Sequence, residues 1–118
     1  MATTVLIVDD HGSFRASARK LLESEGFDVV GEAGTGGDAV EQAAALAPDL
    51  VLLDVQLPDI DGFEVAARVT GGFAKPAVIL VSSRDARDFG PLVESSGAVG
   101  FVAKADLSGE LLRALLDA

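Results

Sequence analysis

The sequence predicts an open, doubly wound α/β sandwich on a five-stranded parallel sheet. Three observations carry this. Short apolar, β-branched runs recur at 5–8, 50–53, 78–81 and 99–102, with a weaker one at 27–30. Between them lie stretches whose apolar residues fall at helical spacing. The runs are continuously apolar rather than alternating, which marks strands buried on both faces. Strand–helix alternation in turn requires parallel strands joined by right-handed crossovers.

The first run ends in Asp9 and Asp10 and leads into a helix with the stripe Phe14, Ala18, Leu21, Leu22. Gly26 stops that helix before the weaker strand 27–30, which ends at Gly31-Glu32 with Gly34 just beyond. Val40, Ala43, Ala44 and Ala47 define a second helix, and 50–53 the third strand. Pro58 and Gly62 bracket the next loop, and Phe63, Ala66 and Ala67 stripe a third helix. After the fourth strand comes "SSRDARDFGPLVESSG", with Gly90-Pro91 in the middle of the only room for a fourth helix. Proline fits a first helical turn and breaks an interior. The expectation is therefore an irregular segment over 84–89 and a short helix over 91–96. Gly97 precedes the fifth strand. Leu107, Leu111, Leu112, Leu115 and Leu116 form the last stripe, with Ser108 or Asp106 as its cap.

Length and composition narrow the class. The chain has 118 residues, 49% of them hydrophobic, which suits one folded domain with its own core. No internal repeat, low-complexity tract or linker interrupts it. There is no cysteine, hence no disulfide, thiolate site or thiol nucleophile. No apolar run approaches a membrane span, and the N-terminus lacks a basic region of the signal-peptide kind. A cytoplasmic location and no membrane partner are expected. With 19 acids against 9 bases the net charge is -10, so phosphate backbones repel the chain and direct nucleic acid binding by this segment is not expected. Cations or a basic partner suit it better.

Ligands of open α/β sheets bind at the carboxyl ends of the strands. Strand one ends in Asp9 and Asp10, strand three in Asp54, strand four in Ser82 and strand five in Lys104. Singly, each has an ordinary explanation: a charge on a helix dipole, a turn residue, a plain serine, a solvated lysine. Together they bring three carboxylates, a hydroxyl and an ammonium to one edge. Three adjacent carboxylates destabilise one another, and a hard dication with oxygen ligands relieves this. One of them could then attack phosphorus, since a metal neutralises charge on the phosphoryl oxygens. A carboxylate nucleophile has no proton to lose, so no general base is required.

Over essentially its whole length, 1–118, the sequence resembles the receiver domain of two-component response regulators. Asp9, Asp10, Asp54, Ser82, Phe101 and Lys104 carry the resemblance, with "DVQLPDIDG" placing Pro58 and Gly62 at family spacing. "DDH…FR" is similar to the subgroup with LuxR-type helix-turn-helix outputs. The resemblance implies a flavodoxin-like strand order 2-1-3-4-5. It implies a signalling phosphoprotein rather than an enzyme, with self-phosphorylation and autodephosphorylation chemistry of its own. Asp54 would accept a phosphoryl group from a phosphohistidine on a histidine kinase or phosphotransfer protein, or from a small phosphodonor, with Lys104 and Ser82 holding the phosphoryl oxygens. Mg²⁺ would be held by Asp10, Asp54 and the backbone carbonyl of Gln56, with Asp9 acting through water. Ser82 and Phe101 would switch the face of helix four, strand five and helix five, with homodimerisation on phosphorylation as one outcome and transcription regulation through an output domain as another.

Some positions depart from the family pattern. Phe101 replaces the frequent tyrosine and cannot hydrogen-bond. Ser83 stands where alanine or glycine is usual, and Ala105 where many relatives have proline. Gly90-Pro91 breaks helix four on the signalling face. Gln56 and Arg84 occupy positions that, in the family it resembles, tune acyl-phosphate hydrolysis. His11 is read as a solvent-facing residue at the start of helix one rather than a metal ligand, "AGTGGDAV" as a plain turn rather than a phosphate loop, and Leu112 or Leu116 as candidates for a dimer face. The alternatives are a degenerate receiver that binds partners without phosphorylation, an aspartate-nucleophile phosphatase, for which D-x-D is wanted where the acids are adjacent, and a flavin mononucleotide carrier, for which a phosphate loop is wanted after strand one.

Overall fold

The computed structural model describes residues 2–72 and 76–117. Five strands, β1 Thr4–Val8, β2 Asp28–Ala33, β3 Leu50–Asp54, β4 Ala77–Ser82 and β5 Gly100–Ala103, alternate with α1 Gly12–Ser24, α2 Gly36–Leu46, α3 Gly62–Thr70, α4 Leu92–Ser95 and α5 Gly109–Asp117. All neighbours pair in parallel, in the order β2-β1-β3-β4-β5. The doubly wound fold and this strand order are as the sequence and its resemblance imply.

The layers follow from strand periodicity. Leu6, Val8, Val51, Leu53, Val78 and Leu80 join one core cluster, with Ala39 and Ala43 of α2 and Val65, Ala66 and Val69 of α3. Val5, Ile7, Leu50, Leu52, Ile79 and Val81 join the other, with Ala18 and Leu22 of α1 and Leu112 of α5. Successive residues of the three central strands thus alternate between two helical layers, and none of these twelve is exposed.

Local chemistry sets the boundaries. Thr35 caps α2 by accepting from the Asp38 amide at 3.1 Å, and Asp61 caps α3 through the Glu64 amide at 2.9 Å. Ser108, one of the two expected caps, accepts from the Leu111 amide at 3.1 Å. Gly26 and Gly97 end helices at φ 92° and 88°, values that glycine alone adopts without strain. The segment after β4 is broken as expected, with a 3₁₀ turn at Ala86–Asp88, Pro91 as N-cap and a single turn of α4. Among the described residues no peptide is cis and no helix is long and apolar enough to cross a membrane.

Four expectations are corrected. In α2 the buried face is Gly36, Ala39 and Ala43, while Ala44 and the C-cap Ala47 are exposed. β2 does not stop at Gly31-Glu32 but runs on to Ala33 as an edge strand with an irregular register against β1 between Val5 and Leu6. Its polar residue is held by Arg15 and Arg19 rather than by an apolar run. In α3 the buried face is Val65, Ala66 and Val69, while Ala67 is exposed. In α5 Leu112 is fully buried and so does not offer a dimer face; Leu111 is the outward leucine.

Truncating a side chain buried between sheet and helices leaves a cavity. Leu52→Ala, on the α1/α5 side of the central strand, is expected to lower stability by about 2–5 kcal/mol. Urea denaturation followed by far-UV circular dichroism checks this.

Candidate functional site

Asp9, Asp54 and Lys104 follow Ile7, Leu52 and Val102, all in the α1/α5 cluster, so they emerge on that face of the sheet at its carboxyl edge. Asp9 is fully buried and Asp54 nearly so. Lys104, in the turn after β5, lies between them, its Nζ 2.5 Å from Asp9 Oδ2 and 3.8 Å from Asp54 Oδ2. Its ammonium also sits 4.4 Å from the centre of the Phe14 ring of α1, a cation–π contact. Close as Lys104 is, Asp9 Oδ2 has no aligned hydrogen-bond donor, so this buried oxygen is charge-paired but not saturated.

The loop from β1 to α1 is folded around Asp9. Its Oδ1 accepts from the His11 amide at 2.8 Å, and its carbonyl accepts from Arg15 Nη1 at 2.6 Å. Arg15 Nε in turn reaches Glu32 at 3.1 Å, and Arg19 Nε reaches the same carboxylate at 2.7 Å. These guanidiniums, Arg19 first, hold the Glu32 carboxyl below the usual range. Arg15 thereby ties the acidic loop to β2, a role its place in "FRASARK" did not signal.

His11 stands at the start of α1 with its ring 67% exposed, as read from the sequence. Its ring is nonetheless engaged: Nδ1 lies 3.1 Å from Asp9 Oδ1 and 3.0 Å from Asp10 Oδ1. One ligand atom from each of Asp9, Asp10, His11 and Asp54 lies within 4.8 Å of the others. Ligands of an octahedral Mg²⁺ lie roughly 3–4 Å apart, so this donor set fits a small dication, and its oxygens are those a hard ion prefers.

The other polar strand-end residue emerges on the opposite face. Ser82 follows Leu80, of the α2/α3 cluster, and is buried. Its hydroxyl oxygen accepts from the Arg84 amide at 3.0 Å, which leaves its proton free to donate. Phe101, half-buried on β5, lies 5.8 Å from Phe89, which lies 5.6 Å from Phe63 of α3 in an edge-on arrangement. Phe89, in the broken segment, was missed in the sequence because that stretch has no periodicity to mark an inward side chain. Arg84 lies over the same ring at 5.8 Å. Gln56 and Ser83 are exposed, and the Gln56 amide donates to Asp54 Oδ1 at 3.4 Å.

Gly62 shows how tightly Asp54 is packed: a Cβ there would collide with the Asp54 carbonyl and come within 2.7 Å of the Val55 Cα. The loop it closes is the stretch "DVQLPDIDG".

A family profile described as response regulator receiver domain matches residues 5–116. The chain belongs to the response regulator receiver domain family. This receiver domain is 42% identical over 110 residues to a Pseudomonas aeruginosa protein named as a transcriptional regulator, covering 93% of this chain and 53% of that one. It is 36% identical over 112 residues to the response regulator UvrY of Escherichia coli, covering 94% and 51%. It therefore spans about half the length of the curated relatives it matches. Among solved structures, the receiver domain of NarL from Mycobacterium tuberculosis superimposes with a TM-score of 0.88 at 36% identity, over 98% of this chain and 94% of that one.

Electrostatics give the receiver domain a pH signature. Burial, then the charge of Asp9, pushes Asp54 up from 3.8 to about 6, with Lys104 opposing. A carboxyl whose folded pKa is raised stabilises the fold below the unfolded pKa and loses that stability as pH rises through the folded one. Asp54 therefore withdraws stability between about pH 4 and 6 and leaves a deficit at neutral pH of at most about 3 kcal/mol. Asp54→Asn is expected to raise the melting temperature of the metal-free domain at pH 7.5, with the gain shrinking to nothing by about pH 4. Thermal melts across that range check it.

Proposed function

We propose that this chain, over 1–118, is the receiver domain of a two-component phosphorelay, accepting a phosphoryl group on Asp54. The observation that carries the reading is the buried Asp54 carboxylate, 3.8 Å from the Lys104 ammonium and beside Asp9 and Asp10. Asp54 attacks the phosphorus of a phosphohistidine on a histidine kinase or phosphotransfer protein. An acyl phosphate O–P bond forms as the N–P bond breaks, and the imidazole leaves with the bonding pair. Acetyl phosphate reacts in the same way, releasing acetate.

Asp10, Asp54 and the Gln56 carbonyl would hold Mg²⁺, with Asp9 acting through a water. Bound there, the ion neutralises charge on the phosphoryl oxygens. The unsaturated Asp9 Oδ2 supports a cation at this place. A structural relative from Borrelia burgdorferi, 25% identical with a TM-score of 0.86, is a CheX–CheY complex with BeF3 and Mg²⁺. Lys104 moves from Asp9 toward a phosphoryl oxygen, and Ser82 donates its free proton to another. Withdrawal of Ser82 opens the space into which Phe101 turns, changing the surface of α4, β5 and α5 for a partner or a second copy. The relatives named as transcription regulators support a cytoplasmic regulator of transcription acting through an output domain, and the net charge of -10 argues against direct DNA binding by this segment.

Incubation with Mg²⁺ and acetyl phosphate is expected to add a single phosphoryl group, seen by intact mass, and Asp54→Asn to add none. Lys104→Ala is expected to slow the reaction on the order of a hundredfold. If the wild-type chain gains nothing from either acetyl phosphate or a phosphorylated kinase, the degenerate receiver takes the place of this reading.

A further inference from the structure

The paired glycines that open α2 bind an anion, and the anion is one of the chain's own side chains. Asp59 Oδ1 accepts from the Gly36 amide at 2.8 Å and Oδ2 from the Gly37 amide at 2.9 Å. One carboxylate thus occupies two amides at the amino end of α2, where the helix dipole favours negative charge. These amides, Gly36 first, hold the Asp59 carboxyl below its usual range. Packing makes the contact close. A Cβ on Gly36 would lie 2.9 Å from both Ile60 Cδ1 and Val65 Cγ2, so only glycine lets the loop after β3 lie against this turn.

That loop carries Gln56. Its ends are fastened at the site, by the Val55 amide to the Val81 carbonyl at 3.1 Å and by the Gly62 amide to the Val55 carbonyl at 2.7 Å. Between those ends, Asp59 makes the polar link to a second element.

We propose that Asp59 is a positioning residue, clamping the β3–α3 loop to α2 so that the Gln56 carbonyl stays aimed at the cation beside Asp54. This rests on the phosphoacceptor reading above. Asp59 touches neither the ion nor the phosphoryl group. It acts by restricting the loop, so its loss falls on metal affinity rather than on the attack itself. Asp59 is exposed and Thr35 caps α2 independently, so the fold does not depend on the clamp.

The test titrates Mg²⁺ into wild type, Asp59→Ala and Asp59→Asn by calorimetry, with acetyl-phosphate rates at each Mg²⁺ concentration and amide exchange of the metal-free proteins. Asp59→Ala is expected to weaken Mg²⁺ about tenfold, leave the rate at saturating Mg²⁺ unchanged, and speed exchange at Gly36, Gly37 and Gln56. Asp59→Asn, which keeps one acceptor and the fold, is expected to fall between. A folded Asp59→Ala with wild-type Mg²⁺ affinity overturns the clamp, and wild-type affinity in Asp59→Asn does so should the alanine variant not fold. A loss of rate at saturating Mg²⁺ with affinity intact also overturns it. Those failures leave the phosphoacceptor reading standing. A wild-type chain that takes neither Mg²⁺ nor phosphoryl overturns both.

Discussion

The centre of the sheet admits no polar side chain, and most of the molecule's chemistry follows from that constraint. β1, β3 and β4 are covered on both faces, so along 5–8, 50–53 and 78–81 every side chain is apolar and fully buried. Polar groups can enter only where a strand ends. Because residues two apart share a face, Asp9, Asp54 and Lys104 surface together on the α1/α5 side, and Ser82 on the other.

The same burial that positions the acids burdens Asp54. Its carboxyl is raised by burial first and by the charge of Asp9 second, and the Lys104 ammonium that opposes this is shared with Asp9. On the proposed function, a cation, or a phosphoryl group that draws Lys104 across, would relieve the burden of burying these carboxylates together. The surrounding hydrogen bonds (Arg15 to the Asp9 carbonyl, Gly62 to the Val55 carbonyl) hold the loops that would otherwise relax it.

Much of this was legible in the letters. Continuous apolar runs mark doubly buried strands, and the first polar residue after each run is a strand-end residue; hence Asp9, Asp54, Ser82 and Lys104. Gly90-Pro91 marked the broken fourth helix. What periodicity could not reveal was anything set by contact across the fold. β2 outruns its apolar run because Arg15 and Arg19 neutralise Glu32. Leu112 and Leu111 are adjacent leucines told apart only by the helix's rotation against the sheet. His11 looks solvent-facing and is, yet its ring bridges two carboxylates that begin the same loop. The paired glycines that open α2 read as a turn until their amides meet a carboxylate 22 and 23 residues away.

The single turn of α4 has a thermodynamic consequence for signalling. One turn cannot propagate, so it gains almost nothing from helical cooperativity and owes its order to what it packs against. Here that support includes Phe89, seated between Phe63 and Phe101. If Phe101 turns, Phe89 loses one of its two ring neighbours, and the segment that leads into α4 would lose support it cannot replace from within itself. The output surface would then respond by local melting, a gain in chain entropy, rather than by the rigid displacement of a long helix. A partner reading this face would discriminate between an ordered and a loosened segment.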